Sequence, residues 1–233
     1  MTLQAVTSAS LSNTLSSRKL QIEDSLGKTV ILIFFLWQFY KTAVNALGMM
    51  NAPVFDFHWA MMAVANLTTF GFLTMIVWLT VTRSPVKETA AGFDARLSAF
   101  MGTFILIGLI AVPHAPISDG QLAIATWLIV AGSVGSIYCL WWLGRAFSVM
   151  ASARHLVTAG PYSHVRHPLY TAEALTVIGV VLLNGSSLAA ILGLVQFYFQ
   201  YRRMLHEEAV LGRVFPEYAD YKTRTPMVLP HLL

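Results

Sequence analysis

Long apolar runs alternate with short polar connections through most of the chain. The runs cover about residues 28–50, 57–82, 97–113, 119–143, 169–183 and 187–205. A helix needs about 20 residues to cross the roughly 30 Å hydrocarbon core of a bilayer. The first four runs meet that length, with 97–113 at the short end. The last two are separated by Asn184-Gly185-Ser186-Ser187. Glycine suits the left-handed position after a helix, and serine suits the cap before one. The pattern therefore predicts a helical hairpin over 169–205 whose first arm is short for a full span. Ala131, Gly132, Gly135 and Ser136 place small residues at four-residue spacing, which suits close helix packing in lipid.

The basic residues orient these runs. Arg18, Lys19 and Lys28 precede the first run. Arg83, Lys87 and Arg96 fall between the second and third. Arg145, Arg154 and Arg166 fall between the fourth and fifth. Arg202, Arg203, Arg213, Lys222 and Arg224 close the last. Of 15 lysines and arginines, 14 thus share one side, at or beyond the ends of the runs, and only Lys41 lies in the middle of one. Positively charged connections stay in the cytoplasm, so both termini are expected there. The net charge of +4 is then topology, and a nucleic-acid partner is not expected.

Composition agrees. Hydrophobic residues make up 56% of the chain and mean hydropathy is +0.64, too apolar for a soluble domain. The lone Cys139 excludes a disulfide framework. The fold class expected is an all-α polytopic membrane bundle of about six segments. It divides into a polar N-terminal tail at 1–27, read as disordered or interfacial, a four-helix transmembrane region at 28–143, and a C-terminal region at 144–233. The membrane is expected to be a bacterial inner membrane or one of endoplasmic reticulum type.

Two cytoplasmic segments hold nearly all the polar chemistry: Gly144–Pro168 and Gln200–Pro230. In the first, Gly160-Pro161 is a turn signal. Pro168 suits the first turn of a helix, which puts Arg166 and His167 at a helix N-terminus. Backbone N–H groups there favour an anion such as a carboxylate. Tyr162 and Tyr170 add flat surfaces and hydroxyls. In the second, Arg203 and Glu207 stand four apart and form an ion pair on one helical face. A solvated anchor is the plain reading of that exit.

Other chemistries find little support. His155, His164, His167 and Glu173 match no zinc spacing, so no metal is expected. No G-x-S-x-G elbow, H-E-x-x-H, Walker motif or strand-linked G-x-G-x-x-G is present. What remains is a ligand with anionic and cationic groups and a flat part, bound at the cytoplasmic membrane edge. S-adenosylmethionine has those features, although physics alone does not select it over ligands of like charge.

The blocks "HLVTAGPYSHVRHPLYTAE" and "EEAVLGRVFPEYADYKTRTPMVLP" resemble the isoprenylcysteine carboxyl methyltransferase and phospholipid methyltransferase group of membrane enzymes. The resemblance covers about residues 140–230. It implies S-adenosylmethionine as cofactor and a cytoplasmic pocket formed by His155, Leu156, Val157, Gly160, Pro161, Tyr162, Arg166, His167, Tyr170 and Glu208. It implies that Glu207 and Arg213 lie near the methyl-transfer centre. Ala172 stands where the pattern often has glycine. Tyr218 and Tyr221 are read as packing for the tail. Glu173 is read evenly as a cofactor contact or a helix–helix hydrogen bond.

The implied activity is methyl transfer to a lipidic or isoprenoid acceptor. Carboxyl methylation ranks first, because Arg213 can hold a carboxylate in a bidentate pair. A phospholipid amine and a small thiol are alternatives, for which Glu207 or His206 would serve as base. Membrane sterol reductases share the C-terminal layout but use NADPH. Their R-H-x-N-Y-x-x-D pattern lacks its asparagine and aspartate here, which disfavours hydride transfer.

Overall fold

The computed structural model describes the backbone of residues 3–51 and 56–229, with side chains from residue 21 onward apart from residue 23. Arg18 and Lys19 therefore fall outside the described side chains, and Pro230 outside the described residues.

Among the described residues there are seven α-helices: α1 Leu3–Met50, α2 Phe57–Thr82, α3 Phe93–Phe104, α4 Asp119–Leu143, α5 Pro168–Asn184, α6 Ser187–Val214 and α7 Tyr218–Arg224. Two short strands, β1 Glu88–Thr89 and β2 Ser152–Ala153, pair antiparallel. Four helical stretches are long and apolar enough to cross a membrane: Asp24–Met50, Phe57–Thr82, Phe93–Ala111 and Asp119–Ala146. The third tightens into a 3-10 helix over Ile105–Ala111. The chain is an integral membrane protein. α5 has 17 residues, about 25 Å of helix. α6 has 28, but its C-terminal half is charged. The stretch 3–27 is helical and continuous with the first apolar run.

Polar caps set the helix starts. Asp56 accepts from Trp59 N at 2.7 Å, Ser118 from Gln121 N at 3.2 Å and Ser186 from Ala189 N at 3.1 Å. Each satisfies a backbone donor that the helix leaves without a partner. Gly185 closes α5 at φ 73°, where a side chain would be strained.

Helices α4 and α5 pack backbone to backbone. A Cβ placed on Gly132 would lie 2.7 Å from Ala172 O, and one on Gly179 would lie 2.7 Å from Ala125 O. Small residues allow this approach, as expected for helices in lipid. Gly132, Ser133 and Ser136 are buried in the contact, whereas Ala131 faces outward. Gly135 stands against the Ala172 methyl. The room that Ala172 needs is thus supplied from α4. Large apolar side chains such as Leu67, Trp78, Trp127 and Trp141 are exposed on the outer faces, where lipid covers them.

A core of Ile31, Phe35, Leu73, Ile76, Cys139, Leu140 and Leu169 joins α1, α2, α4 and α5. A second, smaller core of Ala153, Val210, Phe215, Tyr218 and Tyr221 seats α7 beneath the bundle. Between these two cores lies the site.

Candidate active site

The chain leaves α4 at Gly144, passes through β2, and turns at a 3-10 helix over Gly160–Ser163 before α5 begins. Gly160 has φ 62°, and a Cβ there would meet the Trp142 ring at 2.3 Å. Both conformation and space require glycine. Gly160 and Pro161 shape the turn and do not line the cavity beside it.

The tail after α7 straps this loop. Arg166 N donates to Pro226 O at 2.8 Å, and His167 N donates to Met227 O at 3.0 Å. Tail carbonyls thus already accept from the N–H groups of these two residues, and neither is left for an anion. The Arg166 guanidinium is likewise engaged. Its Nε donates to Glu208 Oε1 at 2.7 Å, and its Nη1 donates to the carbonyls of Lys222 and Thr225.

Glu208 is the hub of that clamp. It is buried, pairs with Arg166 and with Lys222 Nζ at 2.8 Å, and lies 3.4 Å from His167 Nε2. Burial opposes its charge, but His167, Lys222 and Arg166 outweigh burial and hold the carboxyl well below the usual carboxylate range. Glu208 does not line the cavity. It fixes Arg166, which does.

The cavity encloses about 750 Å³ of empty space counted to its open mouth, within the range of small-molecule sites. Of the expected residues, His155, Leu156, Val157, Tyr162, Arg166, His167, Tyr170 and Glu207 line it. Arg203, Tyr218 and Tyr221 line it as well. The two tyrosines also pack the small core, as expected. Their recurrence in F-x-x-Y-x-x-Y was the signal for a second role.

Glu207 is held in place from two sides. Tyr170 donates to Oε1 at 2.6 Å and Arg203 Nε at 3.2 Å. Arg203 also donates to Thr103 Oγ1 and Ser148 O and lies over the Tyr170 ring, 5.2 Å from its centroid. The i,i+4 pair predicted from spacing is present and forms part of the cavity wall.

Two expected residues point elsewhere. Arg213 Nε pairs with Glu88 Oε1 at 2.7 Å, with the arginine side chain 53% exposed. His206 Nε2 contacts Asp94 at 2.8 Å. Neither lines the cavity. β1 draws Arg213 aside, because its pairing with β2 brings Glu88 to the surface beside the end of α6.

Three polar atoms of the lining are buried without a protein partner: Ser148 Oγ, Ser152 Oγ and Tyr162 OH. Each such group costs about 1–3 kcal/mol if left unmade. Burial first, then nearby negative groups, pushes the Tyr162 hydroxyl well above its ordinary pKa, so it stays a donor. Burial, with Lys87 and Arg145 adding, lowers the His155 pKa, which favours a neutral ring. The lining thus offers donors, one carboxylate, aromatic faces and an apolar side from Leu143, Phe147, Leu156, Val157 and Leu169. This donor set fits S-adenosylmethionine. The carboxylate and ring faces suit its cationic groups, the hydroxyls and His167 its carboxylate and ribose, and the apolar wall its adenine.

A second cavity adjoins the first through shared walls of Phe147 and Arg203 and reaches between the helices. Glu173 lines it, where Gln200 Nε2 donates to Oε2 at 3.1 Å. The helix–helix hydrogen bond is therefore the role seen for Glu173.

The chain is similar to known proteins over part of its length. The chain is 36% identical over 118 residues to the nickel-cobalt-cadmium resistance protein NccN of Alcaligenes xylosoxydans xylosoxydans, covering 50% of this chain and 53% of that one. It is 36% identical over 103 residues to the cobalt-zinc-cadmium resistance protein CzcN of Cupriavidus metallidurans, covering 43% and 44%. It is 35% identical over 94 residues to the protein-S-isoprenylcysteine O-methyltransferase of Schizosaccharomyces pombe, covering 37% and 40%. The chain thus spans about half the length, or less, of the curated relatives it matches. Residues 120–218, from α4 to the start of α7, match the family model described as phospholipid methyltransferase. That segment contains every residue expected at the site.

Proposed function

We propose that this chain transfers a methyl group from S-adenosylmethionine to a lipidic or isoprenoid acceptor that enters from the membrane. The observation that carries the reading is the set of three partnerless polar atoms around one cavity, beside an aligned Glu207. Two relatives are named for metal resistance and one for methyl transfer. The cavity lining speaks for the second.

When bound, S-adenosylmethionine supplies a methyl group on a sulfonium, already a strong electrophile. The protein's work is then alignment and exclusion of water. Arg203 and Tyr170 orient Glu207 toward the cavity. Glu207 favours cationic charge nearby and takes a proton from an amine, hydroxyl or thiol acceptor. Tyr162 OH supplies a hydrogen bond from the same lining. Phe147 and Arg203 line both cavities, and the acceptor's reactive end meets the cofactor beside them. The case for a carboxylate acceptor rested on Arg213, and that residue stands on Glu88. An acceptor that donates a hydrogen bond suits Glu207 better.

The proposal includes topology. The four long spans, α5 and the apolar half of α6 make six segments, with both termini and the cofactor cavity cytoplasmic. Reporter fusions at Ser118 and at the C-terminus should then give opposite signals. Calorimetry on the detergent-purified protein tests the cofactor. S-adenosylmethionine should bind saturably and NADPH should not, and saturable NADPH binding alone would reverse the assignment.

A further inference from the structure

The second cavity is not a plain hydrocarbon slot. It holds about 800 Å³ counted to its mouth, with Phe35, Phe72, Ile76 and Val180 among its apolar walls. Gln196 and Ser136 also line it. Both are buried, at 5% and 1% exposure. The Gln196 Oε1 and Ser136 Oγ atoms have no protein partner, whereas Gln196 Nε2 is satisfied by Gly102 O. Polar atoms left unpaired among membrane helices are costly and mark a ligand path.

Their chemistry is specific. An amide oxygen only accepts, so its partner must carry an N–H or O–H. The hydroxyl of Ser136 can pair with the same group. Burial among apolar walls disfavours a charged ligand group there. Arg203 offers no free fork, because it is spent on Glu207, Thr103 and Ser148. Along α6, Gln196 precedes Arg203 by seven residues, about 10 Å of helical rise.

We propose that this cavity binds the acceptor, and that the acceptor is an amphiphile with an uncharged hydrogen-bond donor about 10 Å deeper than the atom that receives the methyl. A plain alkyl or isoprenoid tail would leave both oxygens unpaired. A tail with a mid-chain hydroxyl or N–H pairs them. The proposal rests on the methyl-transfer reading for the acceptor's identity, but the ligand preference itself is read from binding.

The test uses a long-chain primary alkylamine and the same amine with a mid-chain hydroxyl. Each is titrated calorimetrically into the detergent-purified full-length protein. The hydroxylated probe should bind about tenfold tighter, as one net hydrogen bond implies. Gln196→Leu and the smaller change Ser136→Ala should each bring the two affinities within about threefold, while S-adenosylmethionine affinity stays at the wild-type value. Equal affinities in the wild type would show that water alone satisfies these oxygens and would overturn the proposal. A preference surviving in both variants would also overturn it. Labelled methyl transfer to the probes is measured separately. A wild type that shows the preference without transfer rejects the transferase reading and leaves the site standing.

Discussion

Glu208→Gln is the most informative single substitution, because it removes a charge while keeping shape. The Glu208 and Arg166 side chains are 5% and 9% exposed and 2.7 Å apart. Removing one partner of a buried pair costs about 3–5 kcal/mol, since the other charge is left buried and uncompensated. Lys222 is 54% exposed, so its share is that of a surface pair, under about 1 kcal/mol. Taking about 3 kcal/mol, and about 2–4 °C per kcal/mol for a chain of this size, the melting midpoint should fall by roughly 6–12 °C. The pH dependence gives a second reading. The Glu208 carboxyl is depressed in the folded protein, so its contribution is fully present above about pH 5 and is lost as pH falls toward about 2. The variant should therefore lose part of the wild type's acid sensitivity. Thermal unfolding in detergent, followed by tryptophan fluorescence at several pH values, measures both effects. A midpoint within about 2 °C of wild type, or an unchanged acid profile, would refute the clamp.

Gly132→Val should overpack the α4–α5 contact, where even a Cβ comes within 2.7 Å of Ala172 O, and lower stability by about 1–3 kcal/mol in the same melts. Arg213→Ala should leave S-adenosylmethionine affinity and turnover within about threefold, because the residue holds Glu88 at the surface. Glu207→Gln should lower kcat by about 100-fold or more while the protein stays folded, because it removes an aligned base. Equal effects of these two substitutions in a steady-state assay would contradict their placement.

The long spans were legible because hydropathy and length suffice for them, and the α5–α6 turn was legible from Asn184-Gly185-Ser186. The cofactor loop was legible because its residues are consecutive and crowded with polar side chains. Four things were not. Arg166 and Glu208 are 42 residues apart in sequence, and only the fold shows that they clamp each other while Glu207, one residue away, faces the cavity. The displacement of Arg213 depends on a two-residue strand pair, too short to show an alternating pattern. Arg203 looked like a helix anchor, but its wall position needs α3, the α4–α5 loop and α6 together. The second cavity is assembled from side chains on α1 to α6, so no local pattern could announce it.

The most direct test of the central claim is label transfer from methyl-labelled S-adenosylmethionine. Purified protein is incubated with it and a lipid extract, and the extract is separated for label. The account predicts label in an organic-soluble product with the wild type, and its loss with Glu207→Gln. Cofactor binding by the wild type with no label in any lipid fraction, or equal label with Glu207→Gln, would contradict it.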